Sequence, residues 1–522
     1  VPLIFRQDQG LIWICRITGS DTFDTRKINR SFKYSREIQM IHAIEESPLY
    51  RIANPRTIVF FGASNNATSM GTLLMNATRK AGFEGVIYAV HRKDETVQGL
   101  KAYTAVADLP EVPDLAVIVL PGRIVAETLQ ACGEKGIRQV IIVSGGFKEV
   151  GVDGAGSEEA LLEVAEKYGI RILGPNCLGV ANPYTKICTT PISFEGNPGF
   201  IGLASQSGSF IVQMYNYLSR KNIGFSTAFS VGNQLNVDLV DCLEYLAVCP
   251  HTKVIALYIE SINRGAEFIK VAQAIVPHKP IVAHYVGGSE TGRRAAHSHT
   301  GSLSGPDHIY DAMFKQCGII RVQSITEMFD ICGLLGSMPK PEGRNVAILS
   351  HSGGPAASAA DICGRLGLHL PAFTPTTLEK LSPFIPDTGN ANNPVDLTFT
   401  RDIRDFFLKI PQILLEDKNI DMLLIYLFMP EEMMRLRMQS NGMSEHEIDK
   451  IVEQMTQVIE EIAGELRRNY SKPIVGFTYR SVDEPIHKAL IEKGIPVFPN
   501  PERATRSLQA LVDYYEIRER FS

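Results

Sequence analysis

Long apolar runs are missing from this 522-residue chain. None reaches the roughly 18 residues that a membrane span needs. The start, VPLIFRQDQGLIWIC, lacks the ordered basic, apolar and small-residue segments of a secretory signal. Basic charge is not in excess: 52 Lys and Arg against 57 Asp and Glu give a formal net charge of −5, which argues against a nucleic-acid surface. Cysteine is sparse. The nine residues are odd in number and contain no CxxC pair, which argues against a disulfide framework and a zinc ribbon. Most lie in apolar contexts and read as core thiols. What remains is 44% hydrophobic and 21% charged, enough to bury several cores. The expectation is an intracellular, cytoplasmic protein of three to four domains, with no membrane and no nucleic-acid partner.

The first 40 residues differ from the rest: they hold the only Trp, Trp13, and a charged stretch without periodicity. Two readings stand side by side. Residues 1–39 come from an upstream start, with Met40 the natural beginning, or they form a short extension packed on the body. From Arg56 onward, short β-branched runs alternate with amphipathic segments. TIVFFG (57–62), VIYAV (86–90), LAVIVL (115–120) and QVIIVS (139–144) read as buried strands with helices between them. The unit ends near RILGPN (171–176). A second opens at FIGLASQSGS (200–209), with strands at 226–231, 253–260, 279–286 and 318–322. A third starts at NVAILSHSGG (345–354) and continues through 421–429, 472–478 and 495–498. It includes a long surface helix over about 445–469. The reading is α/β, with three parallel-sheet domains.

Three strands run into a Gly/Ser turn and then a helix: FGASNN, ASQSGS and LSHSGG. Such a turn exposes the first helical amides, and with the helix dipole they make a ready anion site. Ser hydroxyls there can cap the helix or donate to a phosphate oxygen. Geometry alone explains any one of these turns; three at strand ends raise the functional reading. No GxxxxGK[ST] or full GxGxxG is present. The segment GGSETGRRAAHSHTGSLSGPD (287–307) is long and small-sided for a mere connection and carries His297 and His299. A metal pair at i,i+2 has no nearby Cys or third ligand, so no metal site is assigned. The other reading is a nucleophilic imidazole that takes up a phosphoryl group.

Taken together, GAS (62–64), GPNCLG (174–179), SQSGS (205–209), SVGNQLNVDLVDCLEYLA (230–247), SHTGSLSG (298–305), SGGP (352–355) and NPVDL (393–397) resemble the α-type half of NDP-forming acyl-CoA synthetases, the succinyl-CoA synthetase superfamily. The resemblance covers about 50–520 and is nearest the ADP-forming acetyl-CoA synthetase branch. It implies an N-terminal Rossmann-like CoA-binding domain (50–180) and two flavodoxin-like domains: a ligase domain with the phosphohistidine loop (181–338) and a second ligase domain (339–522). Residues 1–49 are left as an uncertain extension. By the same resemblance His299 carries the phosphoryl group, Glu260 orients it, and Ser207, Gly208 and Ser209 present amides to the phosphate. Ser64, Asn65, Asn66, Ala67 and Lys93 would meet CoA phosphates. Val143, Ser144 and Gly145 would line the pantetheine arm, and Asn176 and Cys177 would lie near the thiol end, with Cys177 a lining residue and not a nucleophile. Phe210, Ile211 and Val212 replace polar residues of the succinate enzyme, which favours a less polar acyl group.

The implied reaction interconverts acyl-CoA, phosphate and ADP with carboxylic acid, CoA and ATP. CoA is a substrate. No ATP-grasp segment is evident, so ATP/ADP and Mg2+ are expected on a β-type ATP-grasp partner in a hetero-oligomer. Two other functions compete. An FdrA-like carbamoyl- or acyl-transferase would account for the missing nucleotide domain but has no use for SHTG with Glu260. A non-catalytic CoA sensor would need neither.

Overall fold

The computed structural model describes residues 43–194, 197–294, 305–398, 402, 404–428 and 431–521. His297 and His299 lie outside them. Three sheets organise the chain, built from strands β1 (Thr57–Phe61), β2 (Val86–Val90), β3 (Thr96–Val97), β4 (Leu100–Tyr103), β5 (Leu115–Ile118), β6 (Gln139–Ile142), β7 (Arg171–Leu173), β8 (Gly179–Asn182), β9 (Ile187–Cys188), β10 (Ile201–Ser205), β11 (Phe225–Ser230), β12 (Val254–Ile259), β13 (Ile281–Tyr285), β14 (Ile320–Val322), β15 (Val346–Ser350), β16 (Val395–Asp396), β17 (Met422–Tyr426), β18 (Ile474–Phe477) and β19 (Val497–Phe498).

The first sheet runs β3-β4-β2-β1-β5-β6-β7 and is parallel apart from β3. Without β3, its order is the 3-2-1-4-5-6 of a dinucleotide-type fold, whose chain reverses direction between β1 and β5. The second runs β14-β13-β12-β10-β11-β8-β9. Its five parallel strands follow the flavodoxin-like order 2-1-3-4-5, with the antiparallel pair β8–β9 added at one edge. The third, β16-β15-β17-β18-β19, repeats that order. Each central strand is apolar on both faces because helices cover both.

One apolar core joins the second and third sheets through the helices Ile325–Ser337 and Pro501–Phe521. Polar ties reinforce that junction: Arg503 pairs with Asp330 (2.5 Å) and Arg506 with Glu327 (2.9 Å). The helix Glu445–Asn469 buries Ile448, Val452, Ile459, Ile462 and Leu466 and turns its charged side outward. The eight cysteines among the described residues are free and buried. No helix among those residues is long and apolar enough to cross a membrane.

Candidate active site

In open α/β sheets, ligands bind beyond the strand C-termini where the strand order reverses. In the second sheet that point lies between β10 and β12, and both ends carry residues singled out from the sequence. After β10 come Gln206, Ser207 and Gly208, then the helix Ser209–Ser219. After β12 comes Glu260, only 3% exposed. Gln206 ties the two: its Oε1 accepts from the amides of Glu260 (2.5 Å) and Ser261 (3.0 Å), and its Nε2 donates to Ser261 Oγ (3.2 Å). The backbone at the buried Glu260 is thereby fixed to the turn that opens the helix Ser209–Ser219. Sequence reading passed over Gln206, although it sits inside SQSG, because nothing in its chemistry marks it until β12 is known to lie alongside.

Serine capping is not what the structure shows. The helices Met70–Lys80, Ser209–Ser219 and Gly353–Arg365, which follow the three Gly/Ser turns, have no side-chain cap among the described residues. Ser207 and Ser209 pair their hydroxyls at 3.1 Å, and Ser205 Oγ donates to the Ser207 carbonyl at 2.6 Å. By contrast Asp238, Ser324, Thr374 and Ser444 do cap their helices. The uncapped termini keep their amides available for an anion.

The small-residue loop leaves the sheet next to Glu260, since β13 pairs with β12 in the register Ile259↔Tyr285. Its two ends are pinched together. A Cβ on Gly288 would meet Asp307 Oδ1 at 2.1 Å, so a larger residue there would have to displace that carboxylate. On the far side the Tyr285 hydroxyl donates to the Gly305 carbonyl (2.7 Å), and Arg321 holds Asp307.

The CoA residues expected from the sequence fall in spatial order along the first sheet. Lys93 follows β2, Ser64–Ala67 follow β1, Val143–Gly145 follow β6, and Asn176 and Cys177 follow β7. At about 4.8 Å per strand, β2 to β7 spans about 19 Å. A cavity of about 810 Å3 opens at the β1/β5 reversal, with Ser64, Lys93, Arg92 and Thr128 in its wall. Lys93 makes no ion pair among the described residues, and Arg92 lies 3.9 Å from Glu127. Asn65 and Asn66 face other tasks: Asn65 bonds Asp94 Oδ2 (3.2 Å) and the Thr96 carbonyl (2.9 Å), and Asn66 accepts from the Thr68 amide (3.0 Å). Ala67 is exposed. Ser144 joins β6 to β5 by donating to the Leu120 carbonyl (2.5 Å), and Gly145 adjoins Asn176. Cys177 is buried against the Ile142 and Leu173 carbonyls, and burial pushes its thiol up to about 12. It is no nucleophile at neutral pH.

The two sites meet at GPNCLG. Leu178 donates its amide to Ser230 Oγ (3.0 Å), and a Cβ on Gly208 would lie 2.6 Å from Leu178 Cγ. Asn233 and Leu235 donate to the Pro175 and Gly174 carbonyls (2.9 and 3.0 Å). Asn233 also donates to Glu149 (2.6 Å) and Glu158 (2.7 Å). Arg264 anchors the following helix by pairing with Asp238 and Asp241. Burial alone would raise Asp238, but the guanidinium holds it below the usual range. Phe210 packs on Tyr258 with ring centroids 4.6 Å apart.

Comparison with known proteins agrees with this layout. Residues 56–183 match a family described as a CoA binding domain, and 198–335 match a succinyl-CoA ligase like flavodoxin domain. The α subunit of ADP-forming acetate–CoA ligase II of Pyrococcus furiosus is 38% identical over 463 residues, 88% of this chain and 96% of that one. The chain belongs to the ADP-forming acetate–CoA ligase family. Within it, ADP-forming acetate–CoA ligase I of Archaeoglobus fulgidus is 36% identical over 467 residues, and there the match takes up 64% of the relative's length. A solved structure of the dinucleotide-forming acetyl-coenzyme A synthetase 1 of Candidatus Korarchaeum cryptofilum, in complex with phosphate and ADP, superposes with a TM-score of 0.78 at 30% identity. It covers 90% of this chain and 97% of that one. The family places this chain with α-type ligase subunits and not with the transferase or sensor alternatives.

Proposed function

We propose that the chain is the CoA-binding, phosphohistidine-carrying α-type subunit of an ADP-forming acyl-CoA synthetase. In this reading residues 50–180 bind CoA, 181–338 carry the phosphohistidine loop and 339–522 form the second ligase domain. Phosphate attacks the acyl carbonyl of acyl-CoA; the C–S bond breaks and CoA leaves as thiol, giving an acyl phosphate. His299 then attacks the phosphorus and the carboxylic acid leaves. Glu260 accepts from one imidazole nitrogen, fixing the tautomer that leaves the other nucleophilic. The amides of Ser207, Gly208 and Ser209 offset the charge of the phosphoryl group. The phosphoryl group finally passes to ADP. The nucleotide and Mg2+ belong, in this reading, to an ATP-grasp β-type partner, which the α-subunit names of relatives and the 64% coverage of the Archaeoglobus enzyme support.

The observation that carries the proposal is the buried Glu260 held by Gln206 beside an uncapped helix, at the base of the histidine loop. CoA fits the first sheet, where the 810 Å3 cavity has in its wall Lys93, an exposed cation with no ion pair among the described residues. Phe210 beside Tyr258 supports an acyl group less polar than succinate. The test is phosphate-dependent release of CoA thiol from acyl-CoAs without nucleotide, expected to stop at one equivalent per chain. CoA binding without thiol release from any acyl-CoA, even with a partner subunit, would point to the sensor.

A further inference from the structure

Where the first and second sheets meet, several side-chain donors are spent within the protein. The Ser144 hydroxyl donates to the Leu120 carbonyl, Ser205 to the Ser207 carbonyl, and Ser207 and Ser209 pair with each other. Asn176 differs. It stands half-buried after β7 with its backbone left-handed (φ 57°), and its Nδ2 donates to Asn233 Oδ1 at 3.3 Å. Its second N–H has no partner among the described residues. The direction of that amide is set from behind. Asn233, 2% exposed, has its Nδ2 against Glu149 Oε2 (2.6 Å) and Glu158 Oε1 (2.7 Å). Burial alone would raise Glu149, but Asn233 and the amides of Phe147 (3.1 Å) and Gly146 (2.5 Å) hold it below the usual carboxylate range. An ionised carboxylate only accepts, so Asn233 must turn its NH2 toward Glu149. That leaves Asn233 Oδ1, which also only accepts, facing Asn176, and Asn176 must in turn present its own NH2. Glu158, which burial raises, adds an acceptor that this argument does not need. The Asn233 backbone is fixed as well: its amide donates to the Pro175 carbonyl (2.9 Å), and its carbonyl accepts from Lys148.

We propose that Asn176 is a catalytic residue whose second N–H holds the thioester carbonyl oxygen of acyl-CoA, with Asn233 and Glu149 as positioning residues. The inference rests on the function proposed above, in which CoA lies along the first sheet and phosphate at the Ser207–Ser209 amides. Those two reactants meet where the sheets join, and Leu178, two residues after Asn176, lies against Gly208 there. As a phosphate oxygen adds to the carbonyl carbon, the π pair moves onto the carbonyl oxygen, and the Asn176 N–H meets the charge that develops. The pair then returns, the C–S bond breaks, and the proton that phosphate loses ends on the thiol. A donor oriented in advance needs no reorganisation in that step.

Two readouts separate the carbonyl contact from the function it rests on. The first needs no turnover: the infrared carbonyl band of acetyl-CoA, 13C-labelled at the carbonyl and bound to the full chain without phosphate. The band should lie lower in wild type than in Asn176→Gly, a variant that keeps the left-handed backbone and loses only the amide. The second is phosphate-dependent thiol release in a single turnover. Asn176→Gly and the similarly shaped Asn176→Asp should slow it about 100- to 1000-fold, the effect of losing one such donor. Affinity for free CoA should hold, because free CoA has no thioester carbonyl. Glu149→Gln lets the Asn233 amide turn over and carry Asn176 with it. It should lose part of the rate and part of the band shift, and a merely structural role would not move the band. A band and a release rate in Asn176→Gly equal to wild type overturn the inference and leave the proposed function standing. So does an equal loss of rate and free-CoA affinity with the band unmoved, which makes Asn176 a residue of CoA binding alone. A band shift in wild type without thiol release from any acyl-CoA overturns the proposed function instead, with the carbonyl contact still read by the band.

Discussion

Gln206→Ala removes a side chain that joins the ends of β10 and β12. Two buried amides, those of Glu260 and Ser261, lose their acceptor, and Ser261 Oγ loses a donor. An unsatisfied buried polar group costs about 1–3 kcal/mol. Two amides with partial relaxation give about 2–4 kcal/mol of local destabilisation. Since about 1.4 kcal/mol is tenfold in an opening equilibrium, exchange of these amides should speed up about 30- to 700-fold. Hydrogen-exchange mass spectrometry on peptides spanning 254–264 reads this directly, with β17 as an internal control that should not change. Gln206→Glu keeps an acceptor and should retain part of the protection, but it sets a second carboxylate beside Glu260. Phosphoprotein formation in Gln206→Ala should fall while CoA affinity holds, because the first sheet is untouched. Unchanged protection in Gln206→Ala would refute the claim that this side chain positions Glu260.

Lys93→Ala should weaken CoA binding several-fold, with the loss fading as salt rises, because an exposed cation acts through screened attraction; titrations at two ionic strengths check it. Cys177, with its thiol near 12, should resist iodoacetamide in the native protein at pH 8 and react after unfolding, as peptide mass spectrometry will show. Burial pushes His351 down to about 4, so its effect on stability has a definite sign. Above about pH 6.5 the imidazole is neutral folded and unfolded and contributes nothing. Between about 6.5 and 4 the unfolded chain binds the proton first, and stability falls by up to about 3 kcal/mol. Below 4 the loss levels off. His351→Phe, which can keep the stack on Phe406, should flatten that part of a urea-midpoint profile.

Much of this was legible in the sequence, for physical reasons that differ by element. TIVFFG and KVIALYIE are apolar on both faces, so they announce central parallel strands; the observed strands are Thr57–Phe61 and Val254–Ile259. Glu445–Asn469 has a helical apolar stripe and a Ser444 capping box, and both its ends agree with the sequence reading. The sequence does not announce strands β3, β4, β8, β9 and β16: at two to four residues they have no period, and only their neighbours make them strands. Glu260 is singled out by the family pattern, and the structure shows its amide donating to Gln206. Asn65 was expected at CoA, yet its amide is tied to Asp94 and Thr96, contacts that no local pattern encodes.

The central claim is that His299 carries phosphate between the acyl and nucleotide halves of the reaction. Incubating the protein with radiolabelled phosphate and a panel of acyl-CoAs, then mapping the label by acid lability, base stability and peptide sequencing, tests it most directly. Label on His299 that disappears in His299→Ala, with CoA binding intact, is the predicted result. Label that persists in His299→Ala would contradict the account.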